Sequence, residues 1–398
     1  MTINYARVLA KQERKVRVIY ISSYIPRECG IATFTKDLTT SINVLNPHSL
    51  AEIVAVNDPG QTYDYPWEVK FRFTQDDAES YRAAAAYINQ SSAELVCLQH
   101  EFGLYHHNGD MIYENLIKLI NKPIVTTFHA VPTKDLSSSY VLKTTKQIAA
   151  ASEAIVVLAP VAAEQLIKLY EVDPSKIVVI PHGVPDMPML QNGRGKTKLG
   201  LGRHMVLSTF GLLSPHKGIE YVIQALPEVV KRVPNILYVI LGETHPVLKR
   251  KEGEKYRRSL QALVRTLGLQ KNVIFDNRYL TKQELIQYLQ ASDMYITPYL
   301  GQDQVASGTL SYAVGAGLPC ISTRYVYAVD LLDGDRGLLV DFANAPEIAQ
   351  AIIRLAGDKE LRMDIRQRAY LYGRQMTWDN VALKHLDLFS SVIEAKKS

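Results

Sequence analysis

The chain has 398 residues, 47% hydrophobic and 21% charged, with a formal net charge of +5; this is the profile of a globular protein long enough for two domains, and it excludes a disordered chain. No apolar run approaches the roughly 18 residues that span a membrane, residues 1–15 lack the apolar centre of a signal peptide, and Cys29, Cys97 and Cys320 have no metal-ligand spacing, so a reducing cytoplasm is expected. The charge is mild and carries no nucleic-acid recognition motif; the basic clusters at 194–198 and 249–258 read as solvated helix faces, the alternative being peripheral contact with an anionic lipid surface or a polyanionic acceptor.

Strand-like apolar runs occur in chain order at 16–22, 51–56, 95–99, 124–128, 154–158 and 177–180, then at 205–210, 236–241, 273–275, 294–297, 320–322 and 337–340. Helical patterns separate them almost throughout. Strands alternating with helices imply parallel sheets with right-handed crossovers, and two such series predict an α/β chain of two doubly wound, Rossmann-like domains. The proline and glycine of Pro181-His182-Gly183-Val184-Pro185, followed by the polar stretch 191–203, mark the linker. This divides the chain into residues 1–190 and 203–377. Thr377 is read as the N-cap of a final helix whose apolar residues are Trp378, Val381, Leu386 and Phe389.

Two small-residue loops carry the chemistry. Gly211-Leu212-Leu213-Ser214-Pro215-His216-Lys217-Gly218 follows the strand-like run 205–210 and precedes Ile219, Val222, Ile223 and Leu226, which recur at helical spacing. Ser307-Gly308-Thr309-Leu310 likewise runs into a helical pattern. Free N–H groups at a helix start favour an anion, and glycine lets it approach. With Lys217 beside them, the loops predict a phosphorylated ligand, a nucleotide-sugar diphosphate first. The ends of other strands supply Gly30 and Ile31, then Gln99-His100-Glu101-Phe102-Gly103, His129, Glu243, and Arg278 with Tyr279. His106 and His107 lie near His100, but the three lack the spacing of a zinc motif.

In their order and spacing, Cys29-Gly30-Ile31-Ala32, Thr126-Thr127-Phe128-His129-Ala130, Ile180-Pro181-His182-Gly183-Val184, the Gly211–Gly218 loop and Ala316-Gly317-Leu318-Pro319 resemble the GT-B glycosyltransferases of family 4, a retaining group. The resemblance implies two Rossmann-like domains facing a central cleft, with the donor on the C-terminal domain, the acceptor on the N-terminal one, and the helix of residues 378–398 crossing back onto the N-terminal domain. Gly30, Ile31, Lys217, Ser307, Gly308, Thr309, Leu310, Tyr312, Glu243, Arg278 and Tyr279 are then expected to bind the donor. His129, Glu101 and Gln304 are expected to serve catalysis, and His100 with Glu101 the acceptor.

The sequence departs from the family pattern at three positions. Leu212 stands where the family usually carries arginine, and Gln304 and Tyr312 where it usually carries a pair of glutamates. Arg324 or His216 is a candidate for the lost charge, and Tyr312 for a bond to a ribose hydroxyl. The expected reaction moves a hexose, mannose or glucose, from GDP-mannose, UDP-glucose or ADP-glucose to a saccharide or glycolipid hydroxyl, with no metal and no other cofactor. A sugar phosphorylase or epimerase of the same fold is the enzymatic alternative. A non-catalytic nucleotide-sugar-binding protein is the other.

Overall fold

A computed structural model describes residues 16–105, 111–133, 139–189 and 194–397; His106 and His107 lie outside them. The described chain falls into two units, Met1–Gly183 with Trp378–Ser398, and Val184–Thr377.

In the first unit the strands are β1 (Val18–Ser22), β2 (Glu52–Asn57), β3 (Val69–Thr74), β4 (Leu95–His100), β5 (Ile124–Phe128), β6 (Ala154–Val157) and β7 (Ile177–Val179). They form one sheet in the order β3-β2-β1-β4-β5-β6-β7, with parallel neighbours throughout. β1, β4, β5 and β6 are buried along their whole length, as strands covered on both faces must be, and they therefore read as continuous apolar runs. β3 is the strand that this reading misses. It lies at the sheet edge beside β2 alone, and its exposed Lys70 and Arg72 alternate with Phe71 and the buried Phe73, so it has no apolar run to find.

The second unit repeats the plan with β8 (Met205–Phe210), β9 (Ile236–Leu241), β10 (Val273–Asp276), β11 (Met294–Thr297), β12 (Cys320–Thr323) and β13 (Gly337–Val340). Their order is β10-β9-β8-β11-β12-β13, again all parallel. Both sheets thus reverse direction beside their first strand, between β1 and β4 in one and between β8 and β11 in the other. At such a switch point the connecting loops leave toward opposite faces, and the crevice outside the strand carboxyl ends takes ligands.

The closing helix Trp378–Lys397 packs on the helix Gly30–Leu45 in the first unit. Its buried residues are Trp378, Val381, Ala382, His385, Phe389 and Ile393, a helical stripe. His385 occupies the inner face where Leu386 was expected, because Leu386 falls about 80° off the stripe that starts at Trp378. The Trp378 ring lies flat on Gly183, where a Cβ would stand 2.1 Å from the indole. Lys396 and Lys397 pair with Glu153 and Glu94.

The expected linker is packed rather than loose. Ile180 and His182 are buried in the first unit, and Val184 and Met187 in the second, where the Val184 N–H donates to Met376 O at 2.8 Å. The basic clusters are likewise not wholly solvated. Lys196 donates to Asp293 (2.5 Å) and to His204 O (2.9 Å), and Arg257 is 5% exposed. Among the described residues no helix is long and apolar enough to cross a membrane.

Candidate functional site

The two glycine loops follow β8 and β11, the strands that flank the switch point of the second sheet, and long-range contacts join them. Gly218 has φ 62°, and a Cβ there would lie 2.1 Å from Pro298 O, so glycine allows the first loop to rest on the backbone after β11. The Leu300 N–H donates to His216 O at 3.0 Å. Lys217 Nζ sits 3.8 Å from the centroid of the Tyr299 ring, a cation–π contact, and among the described residues no carboxylate pairs with it. The Tyr299 hydroxyl is in turn 2.6 Å from Thr309 Oγ1. A Cβ on Gly211, whose φ is 129°, would stand 3.3 Å from Thr309 Cγ2. Ser307 caps the helix Gly308–Gly315, its Oγ accepting from Leu310 N at 3.3 Å. Lys217, Ser307, Gly308, Thr309 and Leu310 therefore belong to one assembly.

The remaining C-terminal candidates have partners of their own. Gln304 is turned onto its own loop, its Nε2 donating to Ala306 O (2.7 Å) and its carbonyl accepting from Tyr327 N (3.1 Å). Tyr312 is 6% exposed and faces Phe210 with ring centroids 6.2 Å apart. Leu212 is half-buried. Glu243 accepts the Leu213 N–H through its carbonyl (2.7 Å), while its carboxylate pairs with Lys249 (3.1 Å). The Arg278 guanidinium forks onto Asp276 (3.0 and 2.8 Å) and reaches Glu284 (2.8 Å); Tyr279 beside it is exposed. Arg324 pairs with Asp341 at 3.1 Å, and the His216 side chain is exposed.

Two residues absent from the sequence-based set stand here. The backbone N–H of His245, after β9, donates to Leu213 O at 2.9 Å. Partial burial, together with the positive charges of Lys217 and Arg250, holds its imidazole below the ordinary pKa, which marks a locally positive field around the first loop. The buried Arg257 ties together the ends of β9 and β10, donating to Gly242 O (3.2 Å), to Glu254 (2.9 Å) and to Asn277. Helical spacing is the local signal that separates it from its exposed neighbour Arg258: Arg257 falls in line with the buried Leu260 and Val264.

In the N-terminal unit, Gly30 opens the helix after β1; it is exposed and nothing lies within 4 Å of a Cβ there. Ile31 follows, its carbonyl accepting from Thr35 Oγ1 at 2.8 Å. Across the same switch point, at the end of β4, Glu101 caps a short turn, Oε2 accepting from Gly103 N at 2.7 Å. His100 is 1% exposed, enclosed by the rings of Phe102, Tyr105 and Phe128, and burial pushes its pKa down to about 3. His129, after β5, contacts the buried Gln99: His129 Nε2 lies 2.8 Å from Gln99 Oε1. Gln99 Nε2 points instead to Cys97 Sγ (3.2 Å) and Thr127 Oγ1 (3.5 Å), which assigns the His129 proton to Nε2 and leaves Nδ1 an acceptor. Desolvation, then the imidazoles of His182, His100 and His385, push the His129 pKa down to about 3, so the ring is neutral at pH 7.

Comparison with known proteins gives the same family through both halves. Residues 196–372 match the model of group 1 glycosyl transferases, and residues 51–186 that of glycosyltransferase family 4. A phosphatidyl-myo-inositol mannosyltransferase of Mycolicibacterium smegmatis is 26% identical over 68% of this chain and 65% of its own length. A D-inositol 3-phosphate glycosyltransferase of Corynebacterium efficiens is 28% identical over 58% of this chain and 54% of its own length. The alignments thus span less than two thirds of either relative. The structure of Anabaena HepE in complex with UDP superimposes with a TM-score of 0.74 at 15% identity, covering 94% of this chain and 100% of that one, which shows the shared fold. With two Rossmann-like sheets and a family match on each side of the linker, the chain belongs to the group 1, family 4 glycosyltransferases of GT-B fold.

Proposed function

We propose that the protein transfers a hexosyl group from a nucleoside diphosphate sugar to a hydroxyl of a saccharide or glycolipid. The observation that carries this is the assembly at the β8/β11 switch point. Lys217, held on a ring face with no carboxylate partner among the described residues, adjoins the loop that starts the Gly308–Gly315 helix. An ammonium and helix-terminal N–H groups together stabilise the charge that develops on a departing diphosphate. These protein donors serve in place of a metal in the proposed reaction.

As the glycosidic bond to the diphosphate breaks, the sugar becomes oxocarbenium-like and the acceptor oxygen attacks from the face the diphosphate leaves, with retention. Neutral His129 offers Nδ1 to a sugar hydroxyl. Glu101 orients the acceptor hydroxyl or takes its proton, on a turn backed by the enclosed His100. Ser307, Thr309 and Leu310 serve the diphosphate, and Gln304 and Tyr312 serve the sugar and ribose by hydrogen bonds where the family resemblance implies carboxylates. Gly30, Ile31, Glu243, Arg278 and Tyr279 border the donor. The relatives named for mannosyl transfer and for inositol phosphate support GDP-mannose as the first donor to try and an inositol-containing or saccharide acceptor. UDP-glucose and ADP-glucose are next.

A thermal-shift panel of GDP, UDP and ADP tests the donor site, because a ligand that binds only the folded state raises the melting temperature. A rise with one of them supports the reading, and no rise with any defeats it. Turnover should fall sharply in Lys217→Ala, and acceptor-dependent activity should be lost in Glu101→Gln. The buried Tyr312 at a carboxylate position favours one second reading, a non-catalytic nucleotide-sugar binder; nucleotide binding without transfer to any acceptor would select it.

A further inference from the structure

The donor-site reading leaves one residue unassigned that touches both loops. Tyr299 is 2% exposed and is held from several sides. Its ring stacks on Tyr325, with centroids 5.5 Å apart and an 18° interplanar angle, and its carbonyl accepts from Thr323 Oγ1 at 2.5 Å. A tyrosine so braced is a fixed surface. On it rest Lys217 Nζ, 3.8 Å from the ring centroid, and Thr309 Oγ1, 2.6 Å from the phenol oxygen. Lysine carries a flexible four-carbon stem, and without a partner its ammonium samples many positions. A carboxylate would hold it still but would neutralise the charge that a phosphate needs. An aromatic face holds the ammonium and leaves its charge in place.

From this geometry we infer that Tyr299 is a positioning residue of the donor site. It sets the distance between the Lys217 ammonium and the start of the Gly308–Gly315 helix, so that both meet one diphosphate. The inference rests on the donor-site reading above. Its energetic content is pre-organisation: the lysine side chain is ordered before the ligand arrives, and less freedom is lost on binding.

Calorimetric binding of UDP, GDP and ADP to the full chain tests it, with the nucleoside lacking phosphates as the control. Tyr299→Leu should weaken the diphosphate that binds wild type by about tenfold and leave the nucleoside unchanged. Tyr299→Phe keeps the ring face and should stay within about threefold. In a Lys217→Ala background, Tyr299→Leu should weaken the diphosphate no further, since the two residues act as a unit. Additive losses, or equal weakening of nucleoside and diphosphate, overturn the inference while the donor-site reading stands. If wild type binds none of the three diphosphates, the reading falls and the inference with it. A measurement that leaves Tyr299 in place guards against a Tyr299→Leu variant that does not fold. The Lys217 ε-methylene protons, assigned by their loss in Lys217→Ala, should be shifted upfield by the ring current. Unshifted protons overturn the inference.

Discussion

Gln99 and His129 share a hydrogen bond of 2.8 Å between Oε1 and Nε2, and through it the interior of the first sheet sets which imidazole nitrogen is presented. Gln99 is fully buried and occupies its own amide nitrogen with Cys97 and Thr127. In Gln99→Leu the buried N–H of His129 loses its acceptor, so stability should fall by about 1–3 kcal/mol, and the tautomer should no longer be fixed. Urea unfolding measures the first effect. Turnover, down by about tenfold if His129 Nδ1 accepts from the donor sugar, measures the second.

Acid should unfold the first unit well above the pH at which carboxylates titrate. Burial is the leading cause that pushes His100 and His129 down to about 3 and His182 and His385 to about 4, against about 6.5 in an unfolded chain. The unfolded state therefore binds protons below about 6.5 that the folded state refuses until about 3–4. Stability is complete above the unfolded value and is lost as pH falls through that window, by up to about 1.4 kcal/mol per pH unit for each histidine. Denaturation midpoints taken from pH 7 to pH 4 should decline steeply. In His385→Phe, which also removes the unpartnered buried Nε2, the slope should lessen by one proton.

Binding of a diphosphate should raise the proton affinity of His245. His245 lies below its ordinary pKa through burial and through Lys217 and Arg250; an anion that neutralises Lys217 removes repulsion, so the pKa rises and the imidazole gains charge. Binding enthalpies in two buffers of different ionisation enthalpy count that proton. The terminal phosphate releases protons of its own on binding beside Lys217, so wild type should take up more protons, or release fewer, than His245→Asn.

Arg257 and its neighbour Arg258 should differ sharply. Arg257→Met leaves the Gly242 carbonyl without that donor and takes one partner from the Glu254 carboxylate, which keeps the Thr244 hydroxyl, and should cost about 1–3 kcal/mol in denaturant unfolding of the second unit. Arg258→Ala, on the exposed face, should change stability by less than about 0.5 kcal/mol.

Sequence reading succeeds where burial leaves a local mark. β9 is found because both of its faces are covered and its residues are apolar without interruption, and β8, β11 and β5 because their buried runs are apolar apart from serine and threonine. β3 escapes because an edge strand alternates charged and apolar positions. Leu386 belongs to the apolar set of the closing helix, yet the helical angle selects the polar His385 for the inner face. Arg257 hid in a basic run whose charge masks the helical spacing that puts it in line with the buried Leu260 and Val264.

The amino-acid order by itself determined two alternating series of strands and helices, with glycine loops after two strands of the second series. Those are properties of neighbours along the chain: apolar runs, helical spacing and the freedom of glycine at positive φ. Only the tertiary structure decided that β11 lies beside β8, which seats Tyr299 under Lys217 and its hydroxyl against Thr309, and that Gln99 meets His129 across β4 and β5. Strand order brings together residues far apart in sequence, and no periodicity or propensity of a single segment encodes such a pairing.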